Sequence, residues 1–249
     1  KLQRKLLKEM NRRISFDDTV LEDKIRDYYY FERTDKKRDP FLTVYRRSAS
    51  EKTAAELVLD INALYAETFF FSFEEYVISP DDKKVAYYLD MDGSADWNVY
   101  FTDIESAERL DDELKGVGSM AWANDGKTVF YSQLDSVTKR SSSVYKHILG
   151  TKASEDQLLY TEKDSLYQVF VEKSKSEDYI FVSVSATNQS EYYYLDAQQP
   201  NDSLRCISER SPGHMYYAFH FKDKFLILSN KDMFFLQTFK HLYYTPLNK

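Results

Sequence analysis

Cysteine is almost absent: Cys206 stands alone in 249 residues. No intrachain disulfide can form and zinc held through cysteines is excluded, so a reducing compartment, the cytoplasm, is the expected setting. Glycine and proline are scarce as well, at 6 and 5, which leaves Asp, Asn, Ser and Lys to make most turns. An unbroken run of about 18 apolar residues, the minimum for a membrane-spanning helix, is missing. The N-terminal KLQRKLLKEMNRRI is interrupted by charge throughout and reads as an amphipathic helix, neither a span nor a signal peptide. Basic charge is in deficit too. A net charge of -7 argues against nucleic acid and against an anionic membrane, because both need clustered Lys and Arg. The sequons Asn188-Gln189-Ser190 and Asn201-Asp202-Ser203 matter only in a secreted chain and are discounted.

What is abundant is aromatic: 21 Tyr and 17 Phe, mixed with β-branched neighbours that suit a pleated, half-buried surface. After the first helix, short strand-like segments separated by turn residues take over. SPDDKKVAYYLD, ANDGKTVFYSQLD, KSEDYIFVSVSA and FKDKFLILSN each place a polar turn before an apolar strand. Val85, Val129, Ile180 and Leu226 fall at intervals of 44, 51 and 46 residues, close to the length of a four-stranded propeller blade. The expected fold is therefore all-β, a partial β-propeller of about three full and two partial blades behind a short N-terminal helix. Residues 1–20 are expected to be helical and 21–249 to form the propeller. In the clearest unit, strands are expected over 73–79, 85–89, 97–103 and 113–117. The first unit, at 28–31, 42–45 and 56–60, reads as incomplete, as does the one after Met215. A partial propeller leaves unpaired edges, so either further blades lie elsewhere or the five units close among themselves.

The segment LDMDGSADWNVY at 89–100 crowds Asp90, Asp92 and Asp96 around Gly93. Placing Gly93 at position six of an EF-hand loop puts Tyr88 and Val99 where acidic ligands belong, so the segment reads as a solvated turn between two strands. His147, His214, His220 and His241 form no HExxH pair or Cys/His cluster, and no phosphate-binding glycine loop is present. No metal or cofactor is expected.

Trp122-Ala123, Phe130-Tyr131, Val144, His147, Leu149-Gly150-Thr151 and the acidic segment Tyr160–Asp164 fall in one ordered set. With YYYFERT at 28–34, VLDINALY at 58–65, VISPDDKKVAYYLDMDG at 77–93 and Ser190-Glu191, this set resembles the propeller of the prolyl oligopeptidase family, and within it the oligopeptidase B (protease II) group. The resemblance runs to about residue 232; the following MFFLQTFKH departs from the expected pattern, as a truncation, a misjoined exon or a shifted frame would make it.

The resemblance implies a serine peptidase that cleaves short peptides after Arg or Lys, with the Ser-Asp-His triad on an α/β-hydrolase domain. That domain needs a G-x-S-x-G elbow. The nearest string, Gly116-Val117-Gly118-Ser119-Met120, lacks the spacing, and Ser119 reads as a blade residue, so no catalytic residue is expected. The implied role is a noncatalytic gate that docks the hydrolase domain and admits short basic peptides, with Asp92 and Asp96 as gate candidates that attract cations. A start at Lys1 fits a fragment of a longer protein. The alternative is a free-standing propeller scaffold for protein–protein interaction.

Overall fold

A computed structural model describes residues 2–13, 22–34, 41–51, 53–65, 70–231 and 241–246. The chain divides into two compact units, Lys1–Ala66 and Glu67–Lys249. The first holds helix α1 (Leu2–Arg13), a four-stranded antiparallel sheet and a single helical turn, α2 (Ile61–Leu64). The strands are β1 (Glu22–Ile25), β2 (Tyr28–Arg33), β3 (Thr43–Ser48) and β4 (Glu56–Asp60), paired in that order. This unit has one strand more than expected. Its EDKI sequence has no apolar alternation, and β1 is placed by pairing Glu22–Ile25 with Tyr28–Phe31. Helix α1 covers Leu2–Arg13 of the helical segment expected over 1–20; residues 1 and 14–20 lie outside the described residues.

Helix α2 starts where Asp60, its N-cap, accepts from the Asn62 and Ala63 N–H groups. Asn62 then bonds both backbone groups of Phe41, accepting from N at 2.9 Å and donating to O at 3.0 Å. One side chain thus ties the helical turn to the strand entry.

The second unit repeats one plan: β5–β8 (Ser72–Ile78, Lys84–Asp90, Asn98–Asp103, Arg109–Leu114), β9–β12 (Val117–Trp122, Thr128–Leu134, Ser141–Ile148, Gln157–Thr161) and β13–β16 (Gln168–Lys173, Tyr179–Ser185, Ser190–Asp196, Arg205–Ser208). Each set forms a four-stranded antiparallel sheet in which sequence neighbours pair. A three-stranded sheet follows, β17 (Tyr216–Phe221), β18 (Lys224–Ser229) and β19 (His241–Pro246). Val117, expected to close one unit, instead opens the next sheet, because Lys115-Gly116 makes the turn between them.

The alternation of each strand explains how the sheets stack. Val129 and Tyr131 pack toward Ala86, Tyr88, Val99 and Phe101 of the preceding sheet. Phe130, one step out of phase, packs toward Val169, Ile180 and Val182 of the following one. Phe181 repeats the move against Tyr216 and Phe225. Successive sheets therefore bury both faces against neighbours, the arrangement of propeller blades.

The scarcity of glycine is answered by aspartate. Asp103 accepts from the N–H groups of Glu105 and Ser106, Asp125 from Lys127 and Thr128, and Asp135 from Val137 and Thr138. Each carboxylate replaces a backbone turn bond with its own side chain. The same bonds hold the Asp103 and Asp135 carboxyls below the ordinary range, led by the Ser106 and Thr138 N–H groups respectively.

Candidate functional site

The acidic loop between β6 and β7 is organised by its first carboxylate. Asp90 is 4% exposed. It accepts from the N–H groups of Asp92 at 3.1 Å, Gly93 at 2.8 Å and Ala95 at 2.9 Å, so both of its oxygens are occupied by the chain's own backbone. The expectation that all three carboxylates stay solvated is corrected here: three amides converging on Asp90 offset the cost of burying it. The turn needs left-handed backbone at Gly93, φ 78°, and also at Ala95, φ 60°. A cation bound through Asp90 would have to displace those three N–H donors.

The two gate candidates differ. Asp92 accepts from the Ser94 N–H at 2.9 Å. Its carboxyl is held below the ordinary range first by Ser94, through side chain and backbone, with Lys139 contributing last. Asp96 is engaged by an ion pair, both oxygens lying 2.6 Å from Lys139 Nζ on the loop between β10 and β11. The loops of adjacent sheets thus meet through Asp96, leaving Asp92 as the more outward carboxylate.

The hydroxyl and histidine candidates have structural partners. Ser119 is 3% exposed; its Oγ lies 2.8 Å from Ser132 Oγ and accepts from the Val171 N–H. His220 Nδ1 lies 2.7 Å from Ser176 Oγ and 3.4 Å from Asp178. A relay needs serine and carboxylate on opposite ring nitrogens, whereas here both address one nitrogen and, among the described residues, Nε2 is buried without a partner. His214 Nε2 lies 2.9 Å from Ser229 Oγ inside the last sheet. His241 lies on β19.

Two buried charge clusters went unrecognised in the sequence. His147 on β11, 1% exposed, has Nδ1 2.6 Å from Asp156 and Nε2 3.1 Å from Asp112 on β8 of the preceding sheet. Tyr131 donates to the second Asp156 oxygen, and the Gly150 N–H to Asp112. A carboxylate thus faces each ring nitrogen, and the imidazole bridges the two acids. In the second cluster Arg210 Nη2 lies 2.7 Å from Glu162 and Nε 3.4 Å from Glu191, while the guanidinium sits 4.2 Å above the Tyr167 ring. Glu162 also accepts from Tyr160 OH and the Asp164 N–H. The clusters fasten β8 to β11 and the end of β12 to β15.

Cys206 borders the second cluster, 3.7 Å from Glu191. Burial first, then the Glu191 charge, pushes its thiol up to about 11. Thiolate is the reactive form, so a rise of about two units from an ordinary thiol makes it about a hundredfold scarcer at neutral pH. Alkylation of Cys206 by iodoacetamide near pH 7 is expected to be slower than that of a small free thiol by about tenfold, because the scarcer, more basic thiolate is also the better nucleophile. Matching rates would disprove this account of the site.

The family model described as the prolyl oligopeptidase N-terminal β-propeller domain matches residues 1–247. It includes the segment after 232 where the resemblance was expected to end. Protease 2 of Moraxella lacunata is 30% identical over 89% of this chain and 32% of its own length. Dipeptidyl aminopeptidase BI of Pseudoxanthomonas mexicana is 28% identical over 93% and 34%. Among solved structures, oligopeptidase B from Leishmania major superposes with a TM-score of 0.86 at 24% identity, over 93% of this chain and 33% of that one. Oligopeptidase B from Trypanosoma brucei, in a closed form with covalently bound antipain, gives 0.82 at 25%, over 93% and 33%. The chain spans about a third of the length of these relatives.

Proposed function

This chain belongs to the prolyl oligopeptidase N-terminal β-propeller family, and from that premise we propose that it is the noncatalytic propeller portion of an oligopeptidase B-like serine peptidase. It docks an α/β-hydrolase domain and limits access to short peptides, in a parent enzyme that cleaves after Arg or Lys in the cytoplasm. The propeller domain is taken as 21–249 behind a helical segment at 1–20. The observation that carries this reading is the use of the reactive side chains. Ser119, His147 and His220 are spent on holding sheets and turns together, which suits a chain whose chemistry resides in a partner domain. Among the described residues, no helix is long and apolar enough to cross a membrane, a statement that does not bear on β-barrels.

The purified 249-residue chain is expected to leave an Arg-containing fluorogenic peptide intact. The gene read past Lys249 is expected to encode G-x-S-x-G followed by Asp and His. Hydrolysis that survives removal of contaminants, or a reading frame that lacks the elbow, would overturn the proposal. Asp92 is the gate carboxylate in this reading, with Asp96 beside it in its Lys139 pair. In the joined peptidase, Asp92→Asn is expected to raise KM for an Arg peptide about twofold at low salt with kcat unchanged, the effect fading as salt screens an exposed charge. An unchanged KM at low salt would remove Asp92 from the gate.

The scaffold reading draws on one observation, the exposure of Phe219 and Phe221 on β17, at 51% and 56%. It predicts a monodisperse chain with a defined partner, and aggregation of the chain alone counts against it.

A further inference from the structure

A cavity of about 470 Å³ opens where the β9–β12, β13–β16 and β17–β19 sheets converge, a volume within the usual range of small-ligand sites. Gly118, Ser141, Gln168, Phe170, Tyr192 and Met215 contribute to its wall. Two features distinguish it from a packing gap. Ser141 is 8% exposed, and among the described residues its Oγ has no hydrogen-bond partner, although a buried hydroxyl ordinarily has one. Phe170, on β13 at the edge of its sheet, is 50% exposed and presents its ring to this space.

Gly118 keeps the wall open at this point. A Cβ there would stand 3.0 Å from the Oγ atoms of both Ser132 and Ser141 and 3.2 Å from Leu134 Cδ2. Any larger residue would crowd the Ser141 hydroxyl and fill the space before it.

The charge balance restricts what can enter. Among the described residues, Lys139 is the only charged one on the wall, and its ammonium is paired with Asp96 at 2.6 Å. The site therefore offers aromatic surface, a hydroxyl and an amide, with no uncompensated charge to hold an Arg or Lys side chain. Resting on the peptide-gate reading above, we propose that this cavity is a subsite for an uncharged part of a peptide. An aromatic or branched apolar side chain lies against Phe170 and Tyr192, and a neighbouring main-chain amide bonds Ser141 Oγ.

Met215 supplies a reporter in the wall. The 249-residue chain, carrying ¹³C-methyl methionine, is titrated with N-acetyl-phenylalaninamide and separately with N-acetyl-argininamide. The Met215 methyl signal is expected to shift saturably with the phenylalanine compound, with a dissociation constant in the millimolar range, while Met91, in the acidic loop, stays still. The arginine compound is expected to leave Met215 unmoved. Ser141→Ala, which removes the hydroxyl without adding volume, is expected to weaken binding about three- to tenfold, the worth of one hydrogen bond. Phe170→Ala is expected to weaken it further, and Gly118→Val to abolish it. No saturable shift at Met215, an equal response to the arginine compound, or full affinity in Ser141→Ala would each overturn the proposal. The readout is binding alone, so its failure is separable from failure of the gate reading, which is measured through hydrolysis by the joined peptidase.

Discussion

His147→Ala is expected to destabilise the second unit by about 3 to 5 kcal/mol, the largest loss from any single substitution considered for this chain. The reason is the isolation of what remains. Removing the imidazole leaves Asp112 and Asp156, with side chains 7% and 2% exposed, as buried carboxylates without the ring that bridges them. Each keeps one donor, the Gly150 N–H for Asp112 and Tyr131 OH for Asp156, which softens the loss without replacing the bridge. In a chain of this size the cost corresponds to a fall in Tm of roughly 10 °C. His147→Gln, neutral and with one amide donor group, is expected to lose nearly as much. The triple variant Asp112→Asn, His147→Leu, Asp156→Asn is expected to recover most of it, because removing one partner strands the two buried acids, whereas replacing the whole set leaves no buried carboxylate. Thermal unfolding of the three variants checks the argument; a His147→Ala transition within 2 °C or so of the parent would show that the cluster is not a fastening.

The sequence made the repeat legible and left the fastenings hidden. Val85, Val129, Ile180 and Leu226, chosen by their spacing, fall on β6, β10, β14 and β18, the second strand of four successive sheets. Alternation was visible there because these strands are largely apolar, and β10 and β14 each pack a neighbouring sheet on both faces. Strand β1 lacked that signal, since EDKI is mostly exposed and is held by its pairing with β2 and by Glu22 accepting from Arg47 on β3. The acidic loop was readable as a turn, but the burial of Asp90 was not, because it depends on three amides that converge only when Gly93 and Ala95 take left-handed backbone. His147 and Asp112 are 35 residues apart, in different sheets. Their pairing is set by how those sheets stack, and no local periodicity carries that information. The cavity beside Phe170 is hidden for the same reason: its wall comes from three sheets.

Arg210→Ala is expected to cost about 2 to 3 kcal/mol and, more diagnostically, to flatten the acid side of the stability profile. The loss is below that of a fully buried pair because the Arg210 side chain keeps 29% of its exposure. Burial by itself pushes the Glu162 carboxyl up, but the Asp164 N–H, Tyr160 OH and Arg210 together outweigh it and hold the group below its ordinary value of 4.5. A carboxyl whose folded value is depressed adds stability that is fully present above the unfolded value and is lost as pH falls through the folded one. The parent chain should therefore lose stability steadily on acidification below about pH 4.5. In Arg210→Ala, two of the three opposing contacts remain against undiminished burial, so the Glu162 contribution shrinks and the profile falls less steeply. Arg210→Lys is expected to lie between the two, since an ammonium restores the charge but neither the fork that reaches both Glu162 and Glu191 nor the flat face stacked on Tyr167. Parallel acid limbs for parent and Arg210→Ala, measured by denaturant unfolding at several pH values, would contradict this assignment. They would place the acid sensitivity in the aspartate turns instead, where Asp103 and Asp135 are held down by backbone amides that no substitution at 210 disturbs.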